Sequence, residues 1–197
     1  MLYTLITPFT INEEIKKSRF IVNAAPIDHL QQAADFIAQV SDINATHNCW
    51  AWKMSNQYRF NDDGEPTSTA GRPILAAIEG QNCDNIVVVV TRYFGGIKLG
   101  TGGLMRAYGG SASHCLQQAP LTAIILRHSY HVSCLYNEWP IFENKLKESQ
   151  AIIEEQTFDA NGTSLRIAIT DDKFQLLNEF IANLSRGREQ LIRLDQQ

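Results

Sequence analysis

The sequence is poor in the features that mark several large protein classes. Its aliphatic run Ile86–Val90 is five residues, far short of the ~20 apolar residues a membrane helix needs. Met1–Phe9 contains no Lys or Arg, so no basic segment of the secretory type opens the chain, and the expectation is a cytoplasmic protein with no membrane partner. Four cysteines, Cys49, Cys83, Cys115 and Cys134, are widely spaced and none forms a CxxC pair. That spacing excludes a disulfide scaffold and implies reduced thiols. A basic surplus is also missing. The formal net charge is −4, which excludes a protein basic all over but leaves room for a local basic patch. With 44% hydrophobic and 19% charged residues in a chain of 197, disordered, collagenous and coiled-coil classes are excluded and one large or two small domains are expected. One local absence is more telling: between Asn85 and Asn137 there is no Asp or Glu, while Arg92, Lys98, Arg106 and Arg127 lie within that stretch.

The helical pattern that ends at Pro120 separates two parts, taken as 1–121 and 122–197. In the second, Tyr130, Val132, Cys134 and Tyr136 alternate as in a strand. Asn137 is placed to cap a helix carrying Trp139, Phe142 and Leu146 on one face. Segments 151–158 and 163–169 read as strands joined through Asn161-Gly162, a hairpin signal. Asp171 is placed to cap a second helix, and a strand over about 189–194 follows. The order β-α-β-β-α-β is that of a ferredoxin-like domain. In the first part, 2–8 and 19–25 read as strands, with a single hairpin of the two as one option. Asp28 and Gln31 resemble a capping box for a helix bearing Leu30, Ala33, Ala34, Ile37 and Val40. Segments 46–54 and 57–61 read as strands and Thr69–Glu79 as a helix. Ile86–Val90, apolar without alternation, reads as a buried central strand, and a helix runs from Thr101 to Gln118.

The sharpest local feature is the succession of strand, glycine-rich loop and helix in residues 87–110. Gly95, Gly96, Gly100, Gly102 and Gly103 let backbone N–H groups converge on one point, and the helix N-terminus adds a partial positive charge. Arg92, Lys98 and Arg106 supply formal charge, and Tyr93 and Phe94 are available for stacking. Neither a Walker A ending nor a GxGxxG fingerprint is present, so tight strand–helix packing stays open as the alternative use of these glycines. A second cluster, Asp62-Asp63-Gly64-Glu65-Pro66, offers three carboxylates to a cation or to acid/base chemistry; a plain turn is the competing reading, with Thr69 as cap of the next helix. A further option, which the sequence leaves open, is that this acidic loop lies near the basic one and neutralises it. His47 and Cys49 point the same way on a strand, but no second closely spaced pair completes a zinc site, so no metal and no cofactor is assigned. No GxSxG elbow surrounds Ser111 and Ser113, and no catalytic residue is assigned. Trp50, Trp52 and Tyr58, interleaved with Lys53 and Arg59, suit either half-buried strand packing or a stacking surface.

Several blocks in one order resemble the YigZ/IMPACT family, in its bacterial two-domain form. They are Ser18-Arg19-Phe20, Ala45-Thr46-His47-Asn48-Cys49-Trp50-Ala51, Asp62 through Pro66, Thr69-Ala70-Gly71 with Pro73, Val90 through Gly96, Lys98-Leu99-Gly100, Gly102-Gly103-Leu104 and Arg106-Ala107-Tyr108. The resemblance implies an α+β protein whose first domain is similar to domain 2 of ribosomal protein S5 and whose second is ferredoxin-like. Eukaryotic IMPACT proteins regulate translation initiation by competing for the activator of a translational-control kinase, so a protein partner of the translation apparatus is one implication. RNA or the ribosome is the other. The resulting expectation is a nonenzymatic translation regulator that contacts RNA phosphate through Arg92, Lys98 and Arg106, with Tyr93 or Phe94 stacking. The alternative is an enzyme binding a nucleotide or phosphorylated small molecule, for which Asp62, Asp63 and Glu65 are the metal-binding candidates. The sequence is silent on oligomeric state.

Overall fold

A computed structural model describes residues 1–194 of the chain. They form a mixed α/β protein that divides into two compact units, Met1–Ile124 and a second beginning at Ile125. The division falls slightly beyond the expected 121/122 because Leu121–Ala123 forms a strand that pairs antiparallel with Tyr3–Leu5.

In the first unit the elements are β1 (Tyr3–Leu5), β2 (Phe9–Ile15), β3 (Ser18–Pro26), α1 (Leu30–Val40), β4 (His47–Met54), β5 (Gln57–Asn61), α2 (Gly71–Gly80), β6 (Ile86–Tyr93), α3 (Thr101–Gln118) and β7 (Leu121–Ala123). Five strands make an antiparallel sheet in the order β2-β3-β6-β4-β5. Strand β6 lies at its centre, which explains the unbroken apolar run: both faces are covered. Phe20, Val22, Ala24, Cys49, Ala51, Val88 and Val90 pack beneath α2 and α3 with Ile74, Ile78, Leu104 and Tyr108. The opposite row, Ala25, Val87 and Val89, packs with Ala33 of α1, and half-buried Trp50 and Trp52 flank it. The strand tryptophans thus serve packing on this face.

The hairpin expected from 2–8 and 19–25 is instead formed by β2 and β3, with Ile15 opposite Ser18. Lys16 and Lys17 turn the chain at positive φ, 47° and 65°, as a two-residue hairpin of this twist requires. The expected caps also differ. His29 occupies the N-cap of α1 without a side-chain bond, and the Asp28 N–H donates to Gln32 rather than completing a box with Gln31. Thr69 Oγ1 donates to the Pro66 carbonyl, leaving the cap of α2 to a more distant residue described below.

The second unit contains β8 (His128–Leu135), α4 (Trp139–Glu148), β9 (Ile152–Phe158), β10 (Gly162–Ile169), α5 (Asp171–Leu184) and β11 (Ile192–Arg193). Its sheet runs β11-β8-β10-β9, antiparallel throughout. Tyr130, Val132, Leu165 and Ile167 face Phe142 and Leu146 of α4 and Leu177 and Ile181 of α5. The Asp159–Gly162 turn forms as expected, with Asp159 Oδ1 accepting from the N–H groups of Asn161 and Gly162. Asn137 does not cap α4. Glu138 takes that position and its carboxylate accepts from the Leu135 N–H. Asp171 lies inside the first turn of α5 instead of capping it, where its charge suits the helix terminus. The last strand is shorter than 189–194, because side chains of α5 and its end take the backbone first: Glu189 N–H donates to Ser185 and Leu191 N–H to Asn178. The rest of the expected segment, up to Leu194, lies outside that strand. Among the described residues, no helix is long and apolar enough to cross a membrane.

Candidate functional site

The site lies at the end of the central strand in the first unit. Side chains alternate along β6, so the row that buries Ile86, Val88 and Val90 under α2 and α3 carries Arg92 inward as well. Arg92 is 5% exposed. Its Nη1 donates to Glu65 Oε1 at 2.6 Å, its Nη2 reaches Ser18 Oγ at 3.5 Å, and its buried Nε has no partner among the described residues. The guanidinium lies 5.7 Å from the ring of Phe20 and 5.6 Å from that of Phe94. Its charge is therefore matched within the protein, unlike the open phosphate contact expected of it. Tyr93, on the other row, donates its hydroxyl to Asp42, and Arg19 lies 4.3 Å above its ring. That hydrogen bond pushes the Tyr93 phenol up and holds the Asp42 carboxyl below its ordinary value. One face of Tyr93 is thus already occupied.

Glu65 is the hub of the cluster. Its Oε1 also accepts from Tyr108 Oη at 2.7 Å and lies 3.8 Å from His47 Nε2. Burial, Cys49 and Glu65 together push the Tyr108 phenol far up, so it stays a neutral donor. The other two carboxylates of the acidic loop have structural duties. Asp62 Oδ1 accepts from the N–H groups of Ala70 and Gly71 at 3.0 and 2.8 Å, and Oδ2 accepts from Ser68 at 2.8 Å. Asp62 is therefore the cap of α2, supplied from eight residues upstream of Ala70. Asp63 accepts from the Asn48 N–H at 2.6 Å. His47 and Cys49 hold the same loop from β4: His47 Nδ1 bonds the Asp63 carbonyl at 2.7 Å, and Cys49 Sγ donates to the Asp62 carbonyl at 3.0 Å. Burial pushes the Cys49 thiol up to about 12, so it is no nucleophile at neutral pH. Among the described residues no group of three or more His, Cys, Asp or Glu comes together as a metal site.

The glycine-rich loop is shaped by close approach. Gly95 donates its N–H to Ser18 Oγ at 3.2 Å, and a Cβ there would lie 1.8 Å from the Lys17 carbonyl oxygen. Gly96 and Gly100 have φ of 86° and 73°, a region costly for other residues. Gly100 is the N-cap of α3 and provides no side-chain bond, so Gly102 and Gly103 leave the first turn open. Gly95 thereby seats the loop against the β2–β3 turn. Exposed Lys16 and Lys17 lie in that turn, and exposed Lys98 follows in the glycine-rich loop, whereas Arg19 turns to the opposite face of the sheet over Tyr93.

Below the α3 terminus is a cavity of about 410 Å³, lined by Thr46, His47, Glu65, Arg92, Phe94 and Lys98 together with Gly100 and Thr101. The acidic and basic loops do meet here, through Glu65 and Arg92. Phe94 keeps 47% exposure at the rim, with its N–H donated to Thr46 Oγ1. Arg106 is not in this cavity. It lines a separate groove of about 610 Å³ between α2 and α3, with Arg72. Sequence reading missed His47, Tyr108, Ser18 and the Lys16-Lys17 cations as members of the site. The only signal for the last two was their basic pair, some eighty residues from the loop they meet.

The sequence model of the Impact N-terminal domain matches residues 16–116, the segment that builds this site. Over 196 residues the chain is 37% identical to IMPACT family member YigZ of Escherichia coli (strain K12), covering 96% of each chain. Protein IMPACT of Rattus norvegicus is 33% identical over 95 residues, 43% of this chain and 29% of that protein. A solved structure described as the crystal structure of an hypothetical protein is similar with a TM-score of 0.73 and 36% identity, covering 100% of this chain and 98% of that one.

Proposed function

The chain belongs to the IMPACT family, and on that premise we propose that it is a cytoplasmic RNA-binding regulator of translation that grips phosphate at the glycine-rich loop. Translational control is what the family's eukaryotic members imply. The observation that carries the RNA reading is the rim of exposed cations, Lys16 and Lys17 at the Gly95 contact and Lys98 beside the open N-terminus of α3. Such a rim binds a phosphate backbone by charge, with little base readout. Phe94 at the rim offers one face for stacking. Arg92 contributes by holding Glu65 and shaping the floor rather than by direct contact with the strand. Arg106 and Arg72 extend the positive surface along the neighbouring helices.

In the same proposal the first unit is similar to domain 2 of ribosomal protein S5 and the second is ferredoxin-like. The second assignment is supported by its chain order β8-α4-β9-β10-α5-β11. Its strands lie in space in the order fourth, first, third, second.

The test is binding of a fluorescent single-stranded RNA across a salt series, for the wild type and for Lys16→Gln/Lys98→Gln. A log–log slope of roughly −0.7 per phosphate contact is expected, shallower by about 1.4 in the double variant. Absence of binding at low salt, or identical slopes for both proteins, refutes the proposal.

A further inference from the structure

Inside the basic rim, the cavity under α3 collects polar groups that have no partner. Arg92 is buried, yet its Nε–H finds no acceptor among the described residues. An unsatisfied buried donor is costly and uncommon, and points to an acceptor outside the chain. The His47 ring is fixed through Nδ1 by the Asp63 carbonyl, so Nε2 is the free nitrogen. Its nearest carboxylate oxygen, on Glu65, is at 3.8 Å, beyond hydrogen-bond range. The first turn of α3 carries N–H groups with no acceptor in the helix, and only the Leu104 N–H returns to Gly100. Lys98 lines the same cavity and makes no ion pair among the described residues. These groups come from two separate segments, His47 of β4 and the stretch from Arg92 to the first turn of α3, and border one volume of about 410 Å³.

We propose that this cavity is a pocket for a terminal phosphate monoester, the phosphorylated end of an RNA strand, deepening the RNA reading on which it rests. A monoester presents three terminal oxygens and, near neutrality, close to two negative charges. A diester within a strand presents two oxygens and one charge. Glu65 does not repel the ligand outright, because its charge is matched by Arg92 at 2.6 Å. The net positive field therefore comes from Lys98 and the helix terminus, with His47 adding a charge when protonated. Because Nδ1–H is committed to the Asp63 carbonyl, His47 Nε2 donates to a phosphate oxygen only as imidazolium, and as neutral imidazole it pairs only with the P–OH of a monoanion. Apart from Thr46, Gly100 and Thr101, the remaining lining is apolar: Pro66, Phe94, Leu99 and Leu104. That wall suits the single sugar and base attached to an end group. A continuing strand would have to lay a second charged phosphate against it.

The experiment compares three unstructured RNAs of one sequence in competition binding: 5′-hydroxyl, 5′-phosphate, and 5′-hydroxyl lengthened by one nucleotide to equalise the phosphate count. A 3′-phosphate version tests the other end, and uridine 5′-monophosphate supplies the same chemistry free. The expected result is at least tenfold tighter binding of a phosphorylated end than of the lengthened strand. That advantage is lost in Lys98→Ala, whose side chain is exposed, and in His47→Gln, with melting curves checking that the latter folds. Equal binding of all strands, with a normal salt slope, overturns the pocket and leaves the basic rim standing. An advantage that survives both substitutions overturns it too. Uridine monophosphate binding that depends on Lys98, without RNA binding at low salt, upholds the monoester pocket and assigns it to a free nucleotide while the RNA reading falls. No binding of either overturns both.

Discussion

Replacing Glu65 tests the physical heart of the site. Glu65 and Arg92 have side chains only 4% and 6% exposed, so the pair is well removed from water. Two opposite charges about 4 Å apart attract by about 4 kcal/mol at an effective dielectric of 20. Removing one partner from a buried pair costs about 3–5 kcal/mol, because the other charge is stranded. In Glu65→Ala the Tyr108 hydroxyl also loses its acceptor, at about 1 kcal/mol. The terms overlap, and a loss of about 4 kcal/mol is expected, a large share of the 5–15 kcal/mol typical of a folded domain. Glu65→Gln keeps a carbonyl oxygen for both donors and should lose about 2–3 kcal/mol. Glu65→Leu/Arg92→Met removes both charges and should recover at least about 2 kcal/mol relative to the summed single changes. The assay is urea unfolding followed by tryptophan emission in a Trp139→Phe background, where Trp50 and Trp52 report the first unit alone. A Glu65→Ala protein within about 1 kcal/mol of the wild type, at unchanged urea dependence, refutes the desolvated pair.

Three further outcomes are expected. Asp62→Ala should destabilise the first unit by about 1–2 kcal/mol by uncapping α2, and Asp62→Asn should restore part of this in the same urea assay. An unchanged midpoint for Asp62→Ala contradicts the cap. Gly95→Ala drives a Cβ into the Lys17 carbonyl and should cost more than Gly96→Ala, which meets no neighbour and bears only the strain of φ 86°, about 1 kcal/mol; the reverse order in thermal melts overturns the close-approach account. Glu13 takes a different test, against pH. Burial alone raises its pKa, but hydrogen bonds from Ser111 and His114 and the charge of His114 outweigh this, leaving it below the usual 4.5. A depressed folded pKa means the stabilisation is present above the unfolded value and lost as pH falls through the folded one. The urea-midpoint gap between wild type and Glu13→Gln should therefore be full at pH 5.5 and narrow towards pH 3; a constant gap refutes it.

Local pattern was enough for most elements. The apolar run 86–90, the 101–118 helical face and the Asn161-Gly162 turn each carry their periodicity or turn chemistry within a few residues, and the chain obeyed them. The failures share a physical cause. The N–H groups at a helix start donate to any oxygen in reach, so the cap of α2 came from Asp62 and not adjacent Thr69. The hairpin partner of β3 was set by which strand could turn tightly at Lys16-Lys17, which freed β1 to pair with β7 far along the chain.

The family resemblance, the glycine-rich loop and the presence of an acidic loop belong to the sequence itself, because they depend on residue types in order. Which charges are available was decided by the tertiary structure. Strand alternation turned Arg92 inward onto Glu65, while Gly95 seated the loop that carries Lys98 against the Lys16-Lys17 turn. A basic residue in a motif is a ligand contact only if folding leaves its charge unmatched, and pairing between distant segments is a property that sequence order does not contain.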